Sequence, residues 1–139
     1  MIDWEKSTSP LAMLECLSVK PVTYSGFMAL SVKMAQAIKP IETDAEKAAL
    51  GWAERWIKEG EKGATITEGM RLWSEVKTRP IGFAMSIAAV DDARDLARIL
   101  DRLCNFPCEN PFEKIAQAKR VCDAVRELYP SLEAYLENK

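Results

Sequence analysis

The chain has 139 residues, 48% of them apolar and 29% charged, a balance that lets one domain bury a core without a staple and argues against wholesale disorder. Nineteen Lys and Arg against twenty-one Asp and Glu give a net charge of −2, too even for attraction to phosphate backbones or anionic lipid to be the default. There is no histidine, which removes the commonest general base, nucleophile-activating partner and zinc ligand together.

Met1 to Ser9 carries Asp3, Glu5 and Lys6 and no apolar run, so no secretory signal is expected there. Trp4, ahead of the first helix, is expected to lock the N-terminal arm. Ser9-Pro10 has the form of an N-cap and first helical position, and Leu11, Leu14 and Leu17 then recur at helical spacing until Pro21. A second helix is predicted over about Tyr24 to Lys39, with Phe27, Leu30, Met34 and Ile38 on one stripe and Pro40 closing it. The third opens with a capping box, Thr43-x-x-Glu46. It should bury Ala45, Ala48 or Ala49, Trp52 and Trp56, and end at Gly60 as a left-handed C′ residue.

Lys58 to Lys62 reads as solvent-facing, and Glu61 to Ala64 as an exposed turn. A second box, Thr65-x-x-Glu68, leads Ile66, Met70, Trp73 and Val76 along one predicted buried face. The two similar boxes leave a duplicated helix pair open. Ile81 to Val90 is the longest apolar stretch, far short of a membrane span, and is expected as a buried helix begun by Pro80. Asp91 should cap the next helix, whose seam is Ala93, Leu96, Ala97, Leu100 and Leu103. Asn105 is its expected C-terminal cap, and Phe106 to Asn110 must be a loop because of Pro107. Asn110-Pro111-Phe112-Glu113 combines an N-cap, an N1 proline and a capping glutamate. The helix after it should bury Phe112, Ile115, Ala118, Cys122, Val125 and Leu128 up to Pro130, with a short terminal turn over Ser131 to Glu137 that adds Leu132, Tyr135 and Leu136. No segment alternates with period two. The expectation is an all-α fold, one domain over residues 1–139, of seven to eight short helices in an antiparallel bundle or stacked helix pairs.

Trp4, Ser9-Pro10, Met13-Leu14 and Leu17, then Phe27-Met28-Ala29-Leu30, then Ala53-Glu54-Arg55 ahead of Gly60 together resemble an uncharacterised helical domain of many large-genome bacteria. That domain occurs alone or appended to other modules. The resemblance covers the N-terminal part of the chain, Trp4 to Gly60. It departs at Thr23-Tyr24-Ser25-Gly26, where the family has basic residues. It implies a helical fold and brings with it no activity, cofactor or site residue.

Few residues suggest chemistry. Asp91-Asp92-x-x-Asp95 has the spacing of a magnesium-diphosphate motif, but lacks a second acidic motif and reads as a helix start favoured by the macrodipole, with Asp95 able to pair with Arg98. Cys16, Cys104, Cys108 and Cys122 should be thiols in a reducing compartment. Cys104 and Cys108, with three residues between them, could meet as a disulfide or as half of a zinc site, yet no second close pair completes such a site. Arg94, Arg98 and Arg102 recur every four residues opposite the leucine seam, with aspartates among them. They run toward Phe106, Pro107, Pro111 and Phe112. This ridge and loop, Arg94, Arg98, Arg102, Phe106 and Phe112, are the candidate partner-binding residues. No catalytic, cofactor-binding or metal-binding residue is expected. The functional expectation is a non-enzymatic, cytoplasmic protein-interaction module, an adaptor, inhibitor or regulatory subunit of a larger bacterial assembly. Its partner would be another protein, with no membrane role and self-association left open. The alternative is an effector-neutralising or defence-linked accessory protein that touches nucleic acid through the arginine stripe, a contact the even charge disfavours.

Overall fold

The structure, a computed structural model, describes residues 3–17, 24–90 and 93–131. About three quarters of it is helical, in seven α-helices, with no strand among the described residues. In chain order these are α1 (Pro10–Leu17), α2 (Tyr24–Ile38), α3 (Asp44–Glu59), α4 (Ile66–Val76), α5 (Pro80–Met85), α6 (Ala93–Cys104) and α7 (Pro111–Leu128). A 3-10 turn at Gly60–Lys62 follows α3, and another at Ser86–Ala89 follows α5. The apolar run from Ile81 to Val90 is buried at Ile81, Gly82, Ala84, Met85 and Ile87, half of its length, and is split between an α-helix and a tighter turn. The Asp91 cap and the turn beyond Ser131 lie outside the described residues.

The second helix sits in the middle. Met28, Leu30, Ser31, Val32, Met34, Ala35 and Ile38 are all buried, which is more than the one stripe that the sequence suggests, and α3, α5, α6 and α7 all touch it. A helix apolar on several faces belongs inside a fold. The buried Ser31 hydroxyl is satisfied locally, donating to the Met28 carbonyl at 2.9 Å. Phe27 packs at the rim, half-buried.

The Thr43 capping box forms in full. Thr43 Oγ1 accepts the Glu46 N–H at 3.1 Å, and Glu46 Oε1 accepts the Thr43 N–H at 3.2 Å and its hydroxyl at 3.0 Å. The same carboxylate, only 1% exposed, takes a guanidinium hydrogen bond from Arg79 at 3.3 Å. A cap thus doubles as a tie between α3 and the start of α5. The second box forms only by half. Thr65 Oγ1 accepts the Glu68 N–H at 3.3 Å, but the Glu68 carboxylate turns to Arg55 at 2.6 Å instead of back to Thr65. Gly60 has the positive φ expected of it (66°), with an extended ψ of −150°, so it is not a left-handed helical residue.

Two predicted faces are corrected in this hairpin. The buried side of α4 is Gly69, Leu72 and Val76, whereas Met70 is 67% and Trp73 40% exposed. The reason is Trp52, which donates its indole N–H to the Thr65 carbonyl at 2.9 Å and sets its ring edge against Gly69 with room there for no more than a hydrogen. Glycine, not the large apolar residues, makes the close contact. Trp56 is half-buried, and Ala64, expected in an exposed turn, is fully buried.

The N-terminal arm is held as its tryptophan suggests. Trp4 is buried and donates its indole N–H to the Tyr129 carbonyl at 2.9 Å. From α7, Arg126 donates to the carbonyls of Trp4 and Ser7 at 3.0 and 2.8 Å, while Asp123 holds its other terminal nitrogen at 2.7 Å.

Two pairs of substitutions check these assignments. Thr43→Ala should cost about 1 kcal/mol, the usual worth of an N-cap. Glu46→Ala should cost about 3 kcal/mol in urea unfolding, because it also leaves Arg79 without its buried partner. Equal losses would mean that the carboxylate acts as a cap alone. Gly69→Ala should destabilise by about 1–3 kcal/mol despite its better helix propensity, since a Cβ there would stand 2.5 Å from the Trp52 ring. Gly51→Ala, in α3 with nothing within 4 Å of the new carbon, should instead stabilise by up to about 1 kcal/mol.

Candidate interaction surface

Leu96, Leu100 and Leu103 are buried, so the opposite side of α6 faces solvent with Arg98 and Arg102 on it. The Arg94 side chain lies outside what is described. Arg98 pairs with Asp95 at 3.3 Å, a surface pair of the kind worth less than about 1 kcal/mol and screened by salt. Asp101 is drawn the other way. Its carboxylate and its carbonyl accept the Asn105 side-chain amide at 3.3 and 3.0 Å, which makes Asn105 the C-terminal cap expected of it.

The loop that follows does not present Phe106. That ring is half-buried and packs edge-to-face on Phe83, centroids 6.0 Å apart at 75°. Its role as an exposed anchor is therefore corrected. The residue that turns it inward is Gln117, which sequence reasoning passed over. Buried on α7, Gln117 donates its amide to the Phe106 carbonyl at 2.9 Å and accepts the Cys108 thiol at 3.1 Å. The available signal was its position four residues before Val121, a polar side chain on the apolar phase of the helix.

The start of α7 forms as predicted, with Asn110 Oδ1 accepting the Glu113 N–H at 2.8 Å and Pro111 in the first turn. Its burial does not. Every residue from Pro111 to Ala116 is exposed, Phe112 by 83% and Ile115 by 69%. The buried side of α7 is Gln117, Val121, Cys122, Ala124 and Val125, so Phe112 and Ile115 leave the core stripe. The helix begins before the elements that cover it. Of the five candidate residues, Arg98, Arg102 and Phe112 are thus exposed, joined through a loop pinned by Gln117.

A groove of about 300 Å³ between α2 and α7 is lined by Lys33, Gln36, Arg120, Asp123 and Glu127. Its charges meet partners already: Lys33 pairs with Glu127 at 3.0 Å, and Arg120 donates to the Ala37 carbonyl at 2.9 Å. Cys104, Cys108 and Cys122 are free thiols. Burial pushes the Cys104 thiol up to about 12, with Asp101 and Cys122 adding to it. Burial likewise pushes Cys122 up to about 11, against the opposing pull of Arg126 and with a contribution from Asp123. Among the described residues no three His, Cys, Asp or Glu side chains are placed to hold a metal ion, and no helix is long and apolar enough to cross a membrane. Asp91 and Asp92 lie outside the described residues, as does the Cys16 side chain. No family model, curated protein or solved structure matches this chain.

Thiol chemistry offers a direct check. With iodoacetamide near neutral pH, mass spectrometry should find Cys108 alkylated well before Cys104 and Cys122, which should react only on unfolding, because the thiolate is the reacting form. The fold keeps their protons above the ordinary value of 9.0, where the unfolded chain gives them up. Their contribution to stability is therefore complete below that pH and is lost as pH rises toward the folded values. Cys104→Ala should flatten the alkaline decline in urea midpoint.

Proposed function

We propose that this chain is a non-enzymatic protein-interaction module, working in the cytoplasm as an adaptor, inhibitor or regulatory subunit of a larger assembly. The observation that carries the proposal is the exposed start of α7, with Phe112 83% and Ile115 69% accessible on one side of the helix. Leaving two such side chains in water forgoes about 1.5–3 kcal/mol each relative to burial, which a covering partner recovers. The anchor is preorganised: the Asn110 cap, Pro111 and the Gln117 bridge fix the loop and helix before any contact, so little ordering entropy opposes binding. Arg98 and Arg102, exposed on α6, supply the charge that steers an acidic partner surface. The nucleic-acid alternative has two described arginines to rest on, one of them engaged by Asp95, and no aromatic among them for base stacking.

The test is the double substitution Phe112→Ser with Ile115→Ser in the tagged full chain. Stability should stay within about 0.5 kcal/mol of wild type, as for other exposed positions, while co-purification of the partner from the native host should fall at least about tenfold, the equivalent of 1.4 kcal/mol. Unchanged recovery of the partner by the folded variant would place the interface elsewhere. Arg98→Glu with Arg102→Glu should slow association and weaken its salt dependence, with dissociation little changed.

A further inference from the structure

We draw no further inference here: the strongest candidate, the exposed apolar face of Phe112 and Ile115 at the start of α7, belongs to the surface already described, and nothing in the structure shows what covers it.

Discussion

A helix buried on several of its faces imposes the rest of this architecture. α2 carries seven buried residues within eleven positions, so other elements must surround it, and α3, α5, α6 and α7 do. Each of these needs only one apolar side, turned toward α2, and can spend the other on charge. That division explains how a chain with 29% charged residues still closes a continuous core. It also explains why the smallest residues matter where outer helices meet. Trp52 on α3 reaches α4 at Gly69, and a side chain there would push the two helices apart.

Apolar packing alone does not fix how helices are placed along their axes. In this fold a few polar groups do so, each bridging separate elements. Glu46 ties the cap of α3 to Arg79 before α5. Arg126 ties α7 to two carbonyls of the N-terminal arm, with the Trp4 indole completing the contact at Tyr129. Gln117 ties α7 to the loop after α6. Among the described residues no buried side-chain nitrogen or oxygen is left without a hydrogen bond, so these groups add registry without the penalty of an orphaned donor or acceptor.

The Gln117 bridge is also where the fold meets its proposed role. By drawing Phe106 inward against Phe83 and fixing Cys108, it holds the loop as a rigid base from which α7 starts. The two turns that project beyond it are ordered by the body of the helix yet covered by none of the described chain. The basic side of α6 and the apolar start of α7 are thereby set in one rigid unit. An interface gains most from parts that are already in place before contact.

Local signals in the sequence determined this protein's elements. The all-α fold, the Thr43 and Asn110 starts, the Asn105 cap and the leucine seam of α6 follow from interactions within about one helical turn, and the structure shows each of them. The lock by Trp4 was legible too, since a tryptophan on a polar arm has little else to do than pack. What depended on a distant neighbour was not legible. Glu68 left its capping box because Arg55, on another helix, offers a charged partner in place of a backbone amide. Met70 and Trp73 faced outward because Trp52 had already claimed Gly69. Phe112 and Ile115 obeyed helical spacing perfectly well, yet spacing states only that residues share a side. Which side is covered, and where along the helix the covering begins, is set by the helices packed against it, and only the tertiary structure decided that.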